Sequence, residues 1–480
     1  MARSACAARE AFVGWGATTP AQRRPYLRAL RGALVAQSDR IVDTVRAETG
    51  RHPVDVVQAE VLHAAAHVGW LARHLERALE SRRAAAWPLV TKSAAVCYRP
   101  RGVAAVLAPC NYPFLLALLP TASALAAGCA VVLKPSELAS ASGALVAELI
   151  AAAGFPPDVV QVVQGAGDVG ERLVLGDVDV VAVTGSMVTG RRVAELAARR
   201  LVPVIAELGG KDPMIVLEDA DLRRAARAAV WGACFNAGQS CVAIERLYVV
   251  EAVHEALLSE LDRAFDAVRA GDGGRRDVGP LVVPEQATKL EAQVADAVAG
   301  GARVRRGGRR ARYDGRDYFE PTLLTDVRQD AGVMQQESLG PILPVMSVPD
   351  AECAVRAAND SAYGLQASVW TADRARGRAL ARRLRVGAVA INDCLVNYAA
   401  PGLPFGGLGG SGHGRQGGVE GLRAYCFTQS LTDAWLRPPR ELQWFPRLGG
   451  PVAWRTAARL LHGGGRSLSR PRRGRVARPR

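Results

Sequence analysis

Cys241 has a setting that could give it a chemical role, because it ends the Gly-Gln-Ser turn of "FNAGQSC" (residues 235–241). A cysteine acts as a nucleophile when its thiol can ionise and when nearby donors stabilise the oxyanion that its attack creates. The chain has nine cysteines, scattered and without C-x-x-C spacing, which argues against a disulfide framework or a zinc ribbon. Cys241 is therefore either an inert core residue, as we expect for Cys234, or a nucleophile.

Two further polar side chains are predicted at the ends of buried strands, and both could assist such a cysteine. Asn111, in "APCNYPF", is an uncharged donor that could stabilise an oxyanion. Glu207, in "VIAELGG", would have a raised pKa when buried and could act as a general base. Each also has a structural interpretation, Asn111 as a turn former and Glu207 as one half of an ion pair.

A dinucleotide site is predicted where "TGSMVTG" joins a strand to a helix, with Gly185 and Gly190 five residues apart. The helix N-terminus offers free N–H groups to a pyrophosphate, and Ser186 adds a hydroxyl. In "KPSE", at the end of a neighbouring strand, Lys134 and Glu137 could hold the adenosine ribose. Because a carboxylate there would repel a 2′-phosphate, NAD is predicted in preference to NADP.

A second glycine motif competes for the same role. The stretch "GAGDVG" (residues 165–170) matches the G-x-G-x-x-G fingerprint of dinucleotide-binding turns. The fingerprint also requires an acidic residue at the end of the next strand, and that strand, "VDVVAVTGS", ends without one. We therefore interpret these glycines as a tight strand–helix turn.

The elements that would position these side chains alternate along the chain. Strands such as "AVVLKPSE" and "VDVVAVTGS" alternate with helices such as "SGALVAELIAAAG" and "GRRVAELAARR". This alternation predicts a parallel sheet covered on both faces, and right-handed crossovers make it doubly wound. After Glu207 the alternation resumes, which predicts a second α/β unit. The predicted fold class is α/β, with a doubly wound cofactor domain and a second α/β domain.

The net charge of +15 is concentrated at the C-terminus, where residues 442–480 contain ten arginines and no acidic residue. A basic body would indicate nucleic-acid binding, whereas a basic tail indicates an appended segment, so no specific nucleic-acid partner is predicted. The stretch "PVAWRTAARLLHGGG" could form a short amphipathic helix on an anionic membrane surface. Plain disorder and a solvated or nucleic-acid-binding tail are the alternatives.

No metal site and no membrane span are predicted. His63 and His67 are four residues apart in "VLHAAAH", a spacing that could hold a metal, but the glutamate of the metalloprotease motif is absent. The uncharged stretch from residue 102 to 133 is interrupted by three prolines, which an uninterrupted membrane helix would not tolerate. Because the N-terminus has no apolar signal-peptide region, we expect a cytoplasmic protein, with the tail as a candidate contact to the inner membrane face.

Taken in order, the motifs resemble those of the aldehyde dehydrogenase superfamily, from about residue 10 to about residue 435. The matching segments are "APCNYPF", "AAGCAVVLKPSE", "VTGS", "AELGGKDP", "FNAGQSC" followed by "ER", "MQQESLGPILPV", "YGLQASVWT" and "LPFGGLGGSGHGR". The resemblance implies that the Cys241 thiolate attacks an aldehyde, and that the Asn111 amide and the Cys241 N–H stabilise the oxyanion. A hydride would leave to the nicotinamide, and Glu207 would activate the water that releases the carboxylic acid.

The resemblance also implies further site residues. Glu337, in "QESLGP", would bind the nicotinamide ribose, and Leu208 would belong to the cofactor site. Phe405 would line the substrate pocket. Tyr112 is a further candidate for the pocket wall, with ordinary core packing as an equal alternative.

Three positions depart from the family pattern. The family usually has tryptophan where Cys110 stands and phenylalanine where Val183 and Leu339 stand. Those aromatic side chains help to hold the cofactor, so we expect a looser or rearranged cofactor contact here.

The resemblance implies a division of the chain into domains. Its parts are an NAD-binding domain of residues 1–81 and 101–209, a catalytic domain of residues 210–423, oligomerisation strands at 82–100 and 424–434, and a basic tail at 435–480. The strands imply a homodimer or homotetramer.

There are two alternatives to a hydrolytic enzyme. In a CoA-acylating relative, CoA would take the acyl group in place of water, and a base such as Glu207 would be dispensable. A non-catalytic scaffold would have no physical need for this thiol, amide and carboxylate together. The sequence therefore favours an NAD-dependent dehydrogenase acting on a small-molecule aldehyde.

Overall fold

The computed structural model describes residues 2–268, 277–441, 444–445 and 449–464. It forms two compact units, one of Met1–Leu79 with Arg99–Phe427 and one of Glu80–Tyr98 with the described part of Thr428–Arg480. The helices are α1 Ala2–Gly16, α2 Pro20–Ala36, α3 Ser38–Thr49, α4 Pro53–Val56, α5 His63–Leu79, α6 Leu115–Ala127, α7 Ser140–Ala152, α8 Gly167–Val174, α9 Met187–Ala198, α10 Leu222–Cys234, α11 His254–Asp266, α12 Gln286–Ala299, α13 Gly332–Gln335, α14 Ala351–Asn359, α15 Arg374–Ala381, α16 Val396–Ala399, α17 Gly418–Ala424 and α18 Pro451–Gly464.

The strands of the described residues form four sheets. They are β1 Arg82–Ala84, β2 Lys92–Pro100, β3 Val103–Leu107, β4 Ala130–Lys134, β5 Val160–Val162, β6 Val180–Gly185, β7 Val204–Leu208, β8 Asp212–Val216, β9 Ile244–Val250, β10 Arg303–Arg306, β11 Arg310–Tyr313, β12 Arg316–Phe319, β13 Thr322–Thr325, β14 Ile342–Val348, β15 Gln366–Trp370, β16 Ala388–Ile391, β17 Gly412–His413 and β18 Cys426–Ala434. A π-helical turn, Val57–Leu62, precedes α5.

The first large sheet has the strand order β17-β7-β6-β3-β4-β5, and all its strands except β17 are parallel. The apolar runs of β3 and β4 are buried along their whole length, as strands covered on both faces must be. The chain leaves β3 toward β4 and β5 and then returns to place β6 on the other side of β3. This reversal creates a switch point between β3 and β6, where doubly wound sheets bind ligands beyond the carboxyl ends of their strands.

The second large sheet has the order β10-β13-β14-β9-β8-β15-β16, in which only β10 is antiparallel. Its core is an apolar cluster that includes Met214, Leu247 and Trp370. The chain crosses from the first sheet to the second between β7 and β8, through the three residues Gly209, Gly210 and Lys211. Two mainly parallel sheets covered by helices confirm the predicted α/β fold class.

The second unit contains a three-stranded sheet in the order β1-β2-β18, within the segments predicted as oligomerisation strands. It also contains α18, within the segment predicted as a basic tail. Residues 465–480, which carry most of the predicted tail arginines, lie outside the described residues. In the part of the chain that is described, the helices fall short of the length and apolar character needed to cross a membrane.

Candidate active site

A left-handed turn presents Cys241 to the interior. Helix α10 ends at Cys234, and Asn236, Ala237 and Gly238 then have positive φ angles of 54°, 55° and 69°. A side chain at Gly238 would collide with the Gly340 backbone, so only glycine fits at this point of the turn. The chain reverses here and leaves Cys241 half-buried, three residues before β9 begins.

Asn111 lies in the loop that follows β3, and its side chain contacts the loop before Cys241. The Asn111 amide nitrogen donates to the Gln239 carbonyl oxygen (3.1 Å), and its side-chain oxygen accepts from the Tyr112 backbone N–H (3.1 Å). Asn236 also donates to the Asn111 carbonyl oxygen (3.1 Å). These bonds use one of the two N–H groups of the amide and fix its orientation beside the cysteine loop.

A buried ion pair holds the loop that contains Asn111. The Arg51 and Glu60 side chains are joined at 2.7 Å and are almost fully buried. Arg51 donates to the Asn111 carbonyl oxygen and lies over the Tyr112 ring at 4.7 Å from its centre. Glu60 accepts the backbone N–H groups of Phe114 (2.8 Å) and Leu115 (3.0 Å), where α6 begins. The pair thus holds the loop between β3 and α6.

Glu207 lies near the end of β7, paired in register with Thr184 of β6 and Gly412 of β17. Both of its carboxyl oxygens are buried, and neither has a hydrogen-bond partner among the described residues. Burial raises the pKa of Glu207 well above its usual value, and the positive charge of Arg415 offsets only part of that rise. A carboxylate with a raised pKa is a stronger base than an ordinary carboxylate, as a general base requires.

The two glycines after β7 allow neighbouring segments of the site to approach each other closely. A side chain at Gly209 would collide with the Glu337 carboxylate, and one at Gly210 would collide with the Cys241 carbonyl oxygen. Both glycines must therefore lack a Cβ, so that the segments carrying Glu207, Cys241 and Glu337 can approach each other. This close approach explains the paired glycines of "ELGGKDP".

Glu337 is held by a buried network that includes one of the four lysines of the chain. The Glu337 carboxylate accepts the Gly210 N–H (3.2 Å), and burial together with repulsion from Glu245 raises the pKa of Glu337 to about 7. Lys211 pairs with Glu245 (2.7 Å) and donates to the Ser338 hydroxyl (3.0 Å). Glu245 also accepts the Ser338 N–H (2.7 Å), so this pair fixes the segment that carries Glu337.

A first cavity, of about 140 Å³, brings most of the predicted chemical groups together, and we call it the carboxylate cavity. Asn111, Glu207, Cys241 and Glu337 all line it. Gly185, Ser186 and Leu208 line it as well, together with two of the three positions that depart from the family pattern, Cys110 and Leu339. The third, Val183, is buried within β6. The glycines of "GAGDVG" are not among the lining residues.

The remaining predicted cofactor residues lie around the switch point. Ser186 caps α9 by accepting the Thr189 N–H (3.1 Å), and Gly190 lets this helix pack closely on Leu208. Lys134, at the end of β4, pairs with Glu137 (3.3 Å). Neither Lys134 nor Glu137 lines the carboxylate cavity.

A second cavity, of about 200 Å³, has Cys241 as the one lining residue that it shares with the first. Its other walls are mostly apolar or aromatic, so we call it the apolar cavity. Among its lining residues are Tyr112, Leu116, Trp231, Phe235 and Tyr398. Predicted pocket residue Tyr112 thus lines it, whereas Phe405 lies behind the wall and packs edge-on against Tyr398 at 4.9 Å.

The electrostatic setting of Cys241 does not by itself produce a thiolate. Burial, followed by the nearby carboxyl groups of Asp212 and Glu337, raises the pKa of the Cys241 thiol far above its usual value. Burial likewise raises the pKa of Asp212. Attack by this sulfur therefore requires that its proton be removed, or that a positive charge enter the cavity.

Sequence reasoning missed the supporting charges of this site. No recognisable spacing in the sequence marks these charged residues, which are Arg51, Glu60, Asp212 and Glu245. Each contacts its partners only because the tertiary fold brings distant segments together. Only Lys211 gave a signal, since a lysine is rare in a chain with 57 arginines. Its compact ammonium group fits between Glu245 and Ser338 with the side chain fully buried.

Comparisons with known proteins identify the family of this chain. The model of the aldehyde dehydrogenase family matches residues 1–431. A 4,4′-diapolycopene aldehyde oxidase of Methylomonas sp. is 39% identical over 440 residues, 91% of this chain and 82% of that protein. A Mycobacterium tuberculosis protein named "Putative succinate-semialdehyde dehydrogenase (NADP+) 2" is 37% identical over 435 residues, 89% of this chain and 83% of its own.

Solved structures give the same result. The NAD-dependent aldehyde dehydrogenase of Sinorhizobium meliloti has a TM-score of 0.87 and 32% identity, covering 92% of this chain and 88% of that one. The betaine aldehyde dehydrogenase of Staphylococcus aureus in complex with NAD+ also has a TM-score of 0.87, with 30% identity over 93% of this chain and 89% of its own. The chain described here therefore belongs to the aldehyde dehydrogenase family of NAD(P)-dependent oxidoreductases.

Proposed function

We propose that this protein oxidises an aldehyde to a carboxylic acid through a thioester on Cys241, with water as the acyl acceptor. The observation that carries this proposal is the position of Cys241, which lies where a cavity lined by carboxyl groups meets an apolar cavity. An aldehyde in the apolar cavity would present its carbonyl carbon to the sulfur. The groups proposed to stabilise the oxyanion and to accept a proton from water, Asn111 and Glu207, line the other cavity.

The first half of the reaction uses Cys241 and Asn111. The deprotonated sulfur forms a bond to the carbonyl carbon, and the oxygen becomes an oxyanion. The second N–H of the Asn111 amide and the backbone N–H of Cys241 are the donors proposed for this oxyanion. When bound, NAD(P)+ would supply a hydride acceptor and a positive charge.

The second half uses Glu207. Its ionised carboxylate takes a proton from water as the water oxygen bonds to the thioester carbon, and the sulfur leaves as the thiolate. Both Glu207 oxygens are free of protein hydrogen bonds among the described residues, so a water molecule can be their partner. Overall, one aldehyde, one NAD(P)+ and one water give one carboxylic acid, one NAD(P)H and one proton.

The residues present fit a dinucleotide, and we propose which of them hold it. Gly185 and Ser186 open a twelve-residue helix at the edge of the carboxylate cavity, where free N–H groups can bind a pyrophosphate. Glu337 is proposed for the nicotinamide ribose and Lys134 with Glu137 for the adenosine ribose. In this proposal residues 1–81 and 101–209 bind the cofactor, and residues 210–423 carry the cysteine.

We further propose that NAD is preferred over NADP because of Glu137. Its side chain is 52% exposed and pairs with Lys134, so its carboxylate would repel a 2′-phosphate. Glu137→Gln is expected to shift the ratio of kcat/KM for NADP to that for NAD upward by at least about tenfold. The matched control is Glu148→Gln, an equally exposed glutamate paired with Arg40, which should leave the ratio unchanged. A wild-type enzyme that uses NADP better than NAD would contradict the preference.

The hydrolytic proposal is tested by product analysis. With NAD and an aldehyde but no CoA, we expect one carboxylic acid for each NADH formed over many turnovers. Adding CoA should not change the rate, and no acyl-CoA should be detected by mass spectrometry. Turnover that depends on CoA would instead support the CoA-acylating alternative.

We also propose weak binding of the C-terminal segment to anionic membranes. Within α18, Trp454, Ala457 and Leu461 lie on one face, while Arg455 and Arg459 lie on another, and nearly all of these side chains are exposed. An apolar face flanked by arginines suits an anionic lipid surface. The full chain is expected to sediment with phosphatidylserine vesicles and less with phosphatidylcholine vesicles. Equal sedimentation by a chain ending at Pro438 would contradict this role.

A further inference from the structure

The apolar cavity carries an inference about the substrate, which rests on the proposed function. Among the described residues that line it, there is no lysine, arginine, aspartate or glutamate. The titratable side chains other than Cys241 are two tyrosines and His63. Burial lowers the pKa of His63, whose Nδ1 lies 3.1 Å from the Ala59 carbonyl oxygen, so this ring is neutral at pH 7. The cavity is therefore uncharged along its whole lining.

One cation behind the cavity wall, Arg51, already has partners of its own. Arg51 contacts the face of the Tyr112 ring, but its guanidinium group pairs with buried Glu60 and donates to the Asn111 carbonyl oxygen. A carboxylate on the substrate would thus find no cationic partner among the described residues that line the cavity. Burying an unpaired carboxylate is strongly unfavourable, whereas burying a methylene group is favourable.

The shape of the cavity limits the substrate further. About 200 Å³ is less than the 300–1,000 Å³ typical of sites for drug-sized ligands. The walls include several flat or branched apolar side chains, with Trp231 and Phe235 in contact at 5.2 Å between ring centres. Trp231 and Val396 line the cavity and are 45% and 41% exposed, so the cavity reaches the surface beside these two apolar side chains. A single extended chain fits these limits.

We propose that the substrate is an uncharged, unbranched apolar aldehyde, with its carbonyl at Cys241 and its chain directed toward Trp231 and Val396. This class differs from the ω-carboxylated semialdehyde in the name of the mycobacterial relative. The two classes differ in charge, so one experiment separates them.

The first test compares substrates on the wild-type protein. From propanal to heptanal, kcat/KM is expected to rise about fourfold for each added methylene. The methyl ester of succinate semialdehyde is expected to exceed succinate semialdehyde itself by at least about 100-fold, because it has the same chain without the charge. A higher kcat/KM for the charged semialdehyde, or a flat response to chain length, would overturn the inference.

The second test places a cation at the rim. Gln58 is exposed and lines the cavity, whereas its neighbour Val57 is exposed but does not line it. Gln58→Arg is expected to raise kcat/KM for succinate semialdehyde at least about tenfold while reducing that for heptanal. Val57→Arg adds the same charge and should change neither. If both variants behave alike, the acyl chain does not lie in this cavity.

A third measurement does not depend on turnover, so it separates this inference from the proposed function. N-hexyl iodoacetamide is expected to alkylate Cys241 at least about tenfold faster than iodoacetate does, after each rate is divided by that for free cysteine. The site of labelling is read by peptide mass spectrometry. An enzyme that oxidises no aldehyde but shows this preference would refute the proposed function and retain the apolar cavity. An active enzyme without the preference would refute the inference alone.

Discussion

Replacing Cys241 with alanine is expected to lower kcat for aldehyde-dependent NADH formation by at least about 10⁴-fold. The sulfur is the atom proposed to bond to the carbonyl carbon, and no other cysteine in the described part of the chain lines both cavities. Removing a nucleophile that forms the covalent intermediate typically abolishes all but background turnover. The measurement is NADH absorbance with a panel of aldehydes, at enzyme concentrations high enough to detect the residual rate.

Cys234 provides the matched control for this experiment. It lies seven residues earlier, is 4% exposed, and burial raises the pKa of its thiol to about 12. Cys234 lines neither the carboxylate cavity nor the apolar cavity, so Cys234→Ala should keep kcat within about twofold of wild type. A Cys241→Ala protein that retains turnover would remove the basis of the mechanism.

The fold class and the family could be predicted because their signals are local. Buried strands such as β3 consist of uninterrupted apolar residues, and the helices between the strands have apolar positions at helical spacing. The motif around Glu207 could also be recognised in the sequence. Its two glycines lie where the Glu337 and Cys241 segments come so close that no side chain would fit. These features need only a few neighbouring residues to be recognised.

The role of the "GAGDVG" motif stays a prediction. The motif matches a dinucleotide fingerprint, but the next strand ends without the acidic residue that the fingerprint requires. In the structure, a Cβ added at Gly170 would lie at ordinary van der Waals distance from the Lys134 and Leu107 side chains. We therefore keep the interpretation of these glycines as a strand–helix turn.

Other parts of the site could not be predicted, since they depend on contacts between distant segments. The Arg51–Glu60 pair precedes Asn111 by more than fifty residues, and nothing in its spacing indicates that it holds the loop of that residue. The left-handed conformation at Asn236 and Ala237 is equally hidden, because neither position has a glycine. The position of Cys241 between two cavities could not be predicted either, because it depends on how distant segments pack.

Glu207→Gln is expected to block the second half of the reaction while sparing the first. The change keeps the size of the side chain but removes the base proposed to activate water. Loss of a general base typically costs about 10²–10⁴-fold, so kcat should fall by that amount. Because hydride transfer does not need this base, one equivalent of NADH should still form in a rapid burst. Intact-protein mass spectrometry should then show the acyl group on Cys241.

The pH dependence provides a separate check on the same residue. Burial raises the pKa of Glu207, so the ionised base is lost as pH falls through a value well above 4.5. In the wild-type protein, the rate of thioester hydrolysis should therefore decrease toward acidic pH. In Glu207→Gln this dependence should be absent, since glutamine does not titrate. An unchanged acidic limb in the variant would assign the dependence to another group, and Glu337, with a pKa of about 7, would then be the candidate.

The outcome with CoA decides between the two kinds of acyl acceptor. If Glu207 serves only water, CoA added to the acylated Glu207→Gln protein should not release the acyl group faster than buffer does. The buried carboxyl group would then be explained by hydrolysis, since an unpaired Glu207 is costly to bury and serves no purpose when a thiol is the acceptor. Rapid release by CoA would show that water is not the natural acceptor, and that the carboxylate cavity admits a second, larger substrate.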